Sequence, residues 1–569
     1  MAALVCVACL TGARAEPDER ARPAMKMEDL PLGRFRASLE NLPSNVKAQV
    51  LIKLAELNVP AADFESLRIH PRGGLHYECH FKHSTPANGS LSPAALGDPV
   101  FDGAPVFEGP ISVANPPVWH SRPGSTNVLF LDFNGAVVTN TVWNSHPDYM
   151  EPIWDCRPYG LDADDTAFSV QEQRAMRIIW ERVAEDYAPF DIDVTTEQPP
   201  EWNSRTGHVL ITPDLDKNGV QCPHFNAGGV AFLDVFGLSN YSYDSANESY
   251  SPAWVYNYGS VGAAEFEAEA ASHEMGHNLA LSHDGTKKDP YYDGHENGGI
   301  GWGPIMGTGY DRDVSQWSKG DYSMSNNLED DLLIISSRVG YRPDDVGDDA
   351  AAALLLGLNA TGAVYQLGVI ERTFDLDVFK FTAESGTVEI AVSPYRDEGG
   401  DTWGGNLDAV LELYDEFGAL VDSSNPTLET TGVLSTVVDN GTYYLHVRST
   451  GVGDPTQKPT PTGYARYGSL GQYLITGTGG VNLDLDLDGI PNDWEIAYFG
   501  DVTNGLANVD SDLDGQINLY EFIAGSNPTN AGSLFEIQSD SAASTGSAPF
   551  IVSWNAVEGR VYSVRASEN

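Results

Sequence analysis

The apolar positions of this chain change period from one region to the next, and each change marks an element. Residues 46–57 (VKAQVLIKLAEL) carry apolar side chains at helical spacing. In 75–81, Leu75, Tyr77, Cys79 and Phe81 alternate with polar residues, as on one face of a strand. The Pro- and Gly-rich stretch 84–123 predicts a linker. From 127 onward strand and helix alternate. NVLFLDF (127–133) is a buried-strand run closed by Asn134-Gly135. Ser169 and Glu172 form a capping-box pair, and Met176, Ile179, Val183 and Tyr187 follow on one helical face. Strand-like runs follow at 190–195, 207–212, 228–236 and 253–256, and a second helix opens near Ala263. This mixture predicts an α/β or α+β domain over 121–341. Between 344 and 478 the helical period disappears. Short apolar runs recur there between Gly, Asn and Asp, the pattern of an all-β sandwich. Residues 481–530 hold a two-fold acidic repeat. The segment 531–569 reads as a partial β segment, too short for a core of its own and so the start of something longer.

At 569 residues the chain exceeds one hydrophobic core, in keeping with a multidomain protein. Its 81 acidic residues against 32 basic ones leave a net charge of −49. Such a surface repels phosphate backbones, so nucleic acid is not an expected partner. It suits a secreted protein that binds divalent cations. Residues 1–10 are apolar but too few to span a bilayer. Ala13-Arg14-Ala15 follows, so 1–15 read as a signal peptide and 16–120 as a propeptide and linker, although no Lys or Arg precedes the apolar run. No other stretch approaches 18 uncharged apolar residues, so no transmembrane segment is expected. Cys156 and Cys222, the only cysteine pair in 121–341, are expected to form a disulfide in an oxidising compartment. Cys79 allows two readings: a leader thiolate closing a metal site, or a core residue. The alternation of its strand favours the core residue.

The chemistry concentrates in one run, His273-Glu274-Met275-Gly276-His277-Asn278-Leu279-Ala280-Leu281-Ser282-His283. Histidines at i and i+4 project from one helical face at the separation a tetrahedral Zn²⁺ needs. Phe266 and Ala270 continue that face. Glu274 lies beside it, where a carboxylate can take a proton from water. His283 supplies a third ligand if the helix ends soon after His277 and the chain turns back. The fourth position then stays open, as in a catalytic rather than a structural site.

These residues resemble the metzincin zinc endopeptidases, whose HExxHxxGxxH motif is followed by a methionine turn. Trp302-Gly303-Pro304-Ile305-Met306-Gly307 stands where that turn should be. The likeness is to the reprolysin-like (adamalysin) branch and its bacterial secreted relatives. It implies an α+β catalytic domain with a mixed sheet and an active-site helix. It also implies His273, His277 and His283 as zinc ligands, Glu274 as general base toward zinc-activated water, and Met306 as an apolar floor. Gly228, Gly229, Val230 and Ala231 would lie on the edge strand that pairs with an extended substrate. Two residues depart from the pattern. Ala280 replaces the family's glycine, and if that position needs a left-handed backbone its Cβ costs about 1–2 kcal/mol. Thr308 stands where some members have a tyrosine; Tyr310 is nearby but has no assigned role.

Residues 484–495 and 510–521 both match D-x-[DN]-x-[DN]-G-x5-E. The first match offers Asp484, Asp486, Asp488, the Ile490 carbonyl, Asn492 and Glu495. The second offers Asp510, Asp512, Asp514, the Gln516 carbonyl, Asn518 and Glu521. These are oxygen ligands for structural Ca²⁺. With no helix before the first loop, the pair resembles dockerin-like or thrombospondin type 3 calcium repeats. Asp375-Leu-Asp-Val-Phe379, Leu413-Tyr-Asp415 and Gly441-Thr-Tyr-Tyr444 resemble the bacterial pre-peptidase C-terminal domain, a β-sandwich, over most of 344–478. The expectation is a secreted zinc metalloendopeptidase made as a zymogen. Its partners would be protein or peptide substrates, and its C-terminal modules could contact a cell surface or matrix. The alternative is an adhesion or glycan-binding surface protein with an inactive peptidase-like domain. The intact ligands and base favour the enzyme.

Overall fold

Seven strands of mixed direction carry the first half of the chain, and the helices that flank them arise where the apolar period changes. The computed structural model describes residues 25–80, 107, 109–224, 226–242, 248–257, 264–296, 299–357, 363–383, 385–396, 404–478, 488–501, 505–539 and 552–554. They fall into two compact units. One comprises the chain up to Pro343 with 396–406 and 451–469; the other comprises 344–395, 407–450 and 470 onward. The signal peptide, most of the linker, and Asp484 and Asp486 lie outside the described residues.

In the first unit α1 (Arg34–Glu40) and α2 (Ser44–Leu57) precede β1 (Leu67–Ile69) and β2 (Leu75–Cys79). Then come β3 (Val128–Asp132), α3 (Val170–Asp186), β4 (Asp193–Thr195), β5 (Thr206–Thr212), β6 (Gly229–Phe232), β7 (Ala253–Tyr256), α4 (Ala264–Asn278) and α5 (Asp331–Val339). Helix α3 starts as its sequence announces. The Ser169 side chain accepts from the Glu172 N–H, and the Glu172 carboxylate accepts from the Ser169 N–H at 2.7 Å. The sheet runs β1-β2-β6-β7-β5-β3-β4. Strands β7, β5, β3 and β4 are parallel, while β6 is antiparallel to both its neighbours. All seven β5 residues are buried, as expected of a strand covered on both faces.

Two expectations of organisation change here. The N-terminal segment is not a separate module, because β1 and β2 extend the sheet and share the first unit with it. Two pieces of the stretch read as sandwich, 396–406 and 451–469, also belong to the first unit. There the Asn406 Nδ2 donates to Asp186 at 2.9 Å, and His295 Nε2 lies 2.7 Å from the Gly463 carbonyl. Polar anchors of this kind leave no trace in apolar periodicity.

The second unit is built on two antiparallel-rich sheets. One orders Leu354–Leu355, Leu376–Ala383, Gly441–Ser449, Ala409–Asp415 and Leu420–Ser424; the other orders Val364–Ile370, Gly471–Thr478, Gly386–Pro394 and Gly432–Val438. Phe379, Phe381, Val388, Ile390, Leu411 and Leu445 are buried, the alternate positions that the sequence pattern marks as inward. Among the described residues no helix is long and apolar enough to cross a membrane.

Candidate metal centre

Helix α4 presents His273 and His277 one turn apart, and both are fully buried. Asn278 ties the helix end to the sheet: its Nδ2 donates to the Phe232 carbonyl at 2.8 Å, and the Asp234 N–H donates to the His277 carbonyl at 2.9 Å. The chain then reverses through paired bonds, Leu281 N–H to the Gly276 carbonyl and Ala280 N–H to the His277 carbonyl. That is a Schellman motif with Ala280 at its left-handed position, φ +90°. The reversal brings His283 back against the helix. Below, Met306 is buried against Gly276, where an added Cβ would lie 2.6 Å from the Met306 sulfur.

The three Nε2 atoms converge on one sulfur, that of Cys79 at the end of β2. They lie 3.6 Å (His273), 3.4 Å (His277) and 3.5 Å (His283) from Sγ. Tetrahedral Zn²⁺, with bonds of about 2.05 Å to nitrogen and about 2.3 Å to sulfur, places N and S about 3.5–3.6 Å apart. The four donor atoms all lie within 4.8 Å of one another, a group that could hold a metal ion. Cys79 is thus a core residue on an alternating face, as expected, but the face is covered by imidazoles. Alternation favoured a core thiol over one facing metal donors; the structure sets three imidazoles against it, because period two reports that a face is buried and not what buries it.

The protonation states suit ligation. The Nδ1 atoms of His273 and His277 lie 2.9 Å from the Ile305 carbonyl and 2.8 Å from the Leu281 carbonyl. Donation from Nδ1 leaves Nε2 with its lone pair. Burial lowers His273 to about 4 and holds His277 and His283 well below the usual imidazole range, so all three are neutral at pH 7. Burial, with Glu274 beside it, pushes the Cys79 thiol well up. A thiolate here therefore needs a cation. Glu274 is fully buried, and its carboxyl is raised by burial and partly held down by the Cys79 thiol. It packs against Gly229, where a Cβ would come 2.3 Å from its Oε1. A larger residue there would have to push the Glu274 carboxyl aside.

Strand β6 is not an open edge in this chain. Strand β2 lies antiparallel along it, pairing Cys79 with Gly229, Glu78 with Val230 and Tyr77 with Ala231; the Gly228 N–H donates to the Cys79 carbonyl at 2.9 Å. Burial would raise Glu78, but His224, at 2.6 Å, and Arg68 outweigh it and hold the carboxylate down to about 2. Three further side chains at the centre carry no motif and escape sequence reasoning. The Tyr77 ring lies 4.4 Å from His277 and 4.2 Å from His283, and the Tyr291 ring lies 4.4 Å from His283. Asp63 is fully buried beneath them, its carboxyl raised mainly by burial. Cys156 and Cys222 stand here as buried thiols beside each other, the Cys156 thiol raised by its hydrogen bond to Cys222 and by burial.

In the second unit Asp510, Asp512 and Asp514 gather as a group that could hold a metal ion. Buried oxygens of Asp512, Asp514 and Glu521 lack hydrogen-bond partners there, which fits a hard cation. The Gly515 N–H donates to Asp510 at 2.9 Å, shaping the loop ahead of the helix Asn518–Ala524. Of the first repeat, Asp488 accepts from the Ile490 N–H at 3.0 Å and Glu495 is buried.

No family model matches the chain, and no curated protein does. About a quarter of it (24%) aligns with all of the pre-peptidase C-terminal domain of a collagenase from Bacillus anthracis, at 16% identity and TM-score 0.16. Two CBM35 structures align over 24% at 11% identity and TM-score 0.12. One is a Xyl-CBM35 in complex with a glucuronic acid-containing disaccharide (85% of that chain), the other a CBM35 from Cellvibrio japonicus (86%). Likeness at this level carries no argument about the whole chain.

Replacing Ala280 by Gly relieves the left-handed backbone and should stabilise the first unit by about 1 kcal/mol, read as a higher unfolding midpoint. Burial, with Asp512 and Asp514, raises Glu521 to about 7. The folded loop thus binds a proton more tightly than the unfolded chain, and without metal it loses stability as pH climbs from about 4.5 to about 7. Calcium should raise the melting temperature of the second unit, and by more at pH 7.5 than at pH 5.

Proposed function

We propose that the chain is a secreted zinc-dependent metalloendopeptidase in its latent form. The observation that carries this reading is the convergence of His273, His277, His283 and Cys79 beside the buried Glu274. When bound, Zn²⁺ would supply Lewis acidity toward a substrate carbonyl and acidify a water in the position the thiol holds. The rest is done by the protein. Glu274, beside the three imidazoles, would take the water's proton on its carboxylate and pass it to the leaving amine. Once β2 has left, the main chain of Gly229 to Ala231 offers a free edge on which an extended peptide can pair. Until then β2 fills that edge, and Cys79 fills the fourth coordination position. The segment ending at Cys79 therefore acts as an inhibitory propeptide.

The acidic loops 484–495 and 510–521 are proposed as structural calcium sites, and the sandwich as an accessory module appended to the enzyme. The competing reading, a surface adhesin with an inert peptidase-like domain, is disfavoured by the intact base and its glycine-lined seat.

Zinc stoichiometry and casein cleavage test the enzyme together. After propeptide removal, Glu274→Gln should keep one zinc and lose about 10²- to 10⁴-fold in turnover. Zinc bound by wild type with no hydrolysis of casein or gelatin would instead support the adhesin. In the full chain, Cys79→Ser should lose its propeptide, and gain casein cleavage, sooner than wild type does, followed as a time course of the cut chain.

A further inference from the structure

The three imidazoles are not supported alike. His273 and His277 are aimed by carbonyls of the region that carries them, Ile305 and Leu281. His283 is aimed from the N-terminal segment. The Asp63 Oδ2 accepts from the His283 backbone N–H at 3.1 Å and lies 3.6 Å from its Nδ1. The same oxygen accepts from the Tyr77 hydroxyl at 3.0 Å, and the Tyr77 ring rests against His283. His283 Nδ1 makes no hydrogen bond within the described residues, so the Asp63 carboxyl is the polar group facing it, and both residues are fully buried. A carboxylate facing the far nitrogen of a ligating histidine fixes its tautomer and raises its basicity. Here that carboxylate stands on the segment proposed to be cut away.

We propose that Asp63, held by Tyr77, is the positioning residue for the third zinc ligand, so the propeptide templates the metal site as well as closing it. This rests on the zinc reading above. The propeptide contributes the thiol as fourth donor, the carboxylate behind the third, and the ring that packs both His277 and His283. Zinc loading is therefore a property of the full chain, and the metal is acquired before the propeptide leaves. Once it is gone, His283 keeps its backbone support from the Asn327 side chain, which donates to its carbonyl at 3.1 Å, but not its carboxylate.

The test is a zinc titration of the metal-free full chain against a competing chromophoric chelator, with a Co²⁺ spectrum as second readout. Asp63→Asn keeps an oxygen for the His283 N–H and the Tyr77 hydroxyl but exchanges the carboxyl for an amide, which cannot take up the imidazole proton. It should bind zinc about 10- to 100-fold more weakly than wild type. Its cobalt spectrum should retain the sulfur-to-metal band, since Cys79 is untouched. Tyr77→Phe, which keeps the ring, should weaken binding several-fold in the same direction, and it serves if Asp63→Asn does not fold. Zinc affinities of both variants within twofold of wild type would overturn the positioning role. Equal zinc binding by wild type and His273→Ala would instead overturn the metal site itself.

Discussion

Four lone-pair donors sealed from water are unfavourable company unless they share a cation. Burial keeps the three imidazoles neutral and the thiol protonated, so four atoms able to donate a lone pair face one another in a sealed pocket. The surrounding fold is arranged to sustain that condition. Helix α4 is clamped to the sheet through Asn278, the loop after it is reversed by a strained Ala280, and the 302–307 turn closes the floor with Met306. Of these, Ala280 gives up backbone ease for a fixed donor geometry, a common sign of a functional site.

Much of this was legible in the residues. HExxH on a helix requires two histidines on one face, and the capping box at Ser169 starts α3 where it should. Ala280, standing where the resembled family has glycine, raised the question of a left-handed backbone, and the structure puts φ +90° there. The strands of the second unit follow their alternation closely.

What stayed hidden depends on contacts between distant stretches. Nothing local to 75–79 says that its buried face meets imidazoles nearly 200 residues later, so Cys79 looked like an ordinary core thiol. Asp63 lies in no motif and gains its meaning only from the His283 backbone. The strand at 229–232 reads as an edge because its partner, β2, lies 150 residues earlier in the chain. Three hydrogen bonds at Asn406, the His295 bond to the Gly463 carbonyl and the packing of Tyr464 with Trp302 and Tyr322 tie pieces of the sandwich stretch into the first unit. Patterning specifies which face is covered; the covering element is a matter of topology.

The distance between Asp63 and His283 along the chain, 220 residues, has a bearing on biosynthesis. Closing so long a loop is only about 2 kcal/mol more demanding than closing one a tenth its length, so thermodynamics tolerates it. The order of events is another matter. A ribosome releases β2 long before α4, and the cysteine must wait, unligated, for its three nitrogens to emerge. The donor set can close only once His283 has emerged, 204 residues after Cys79.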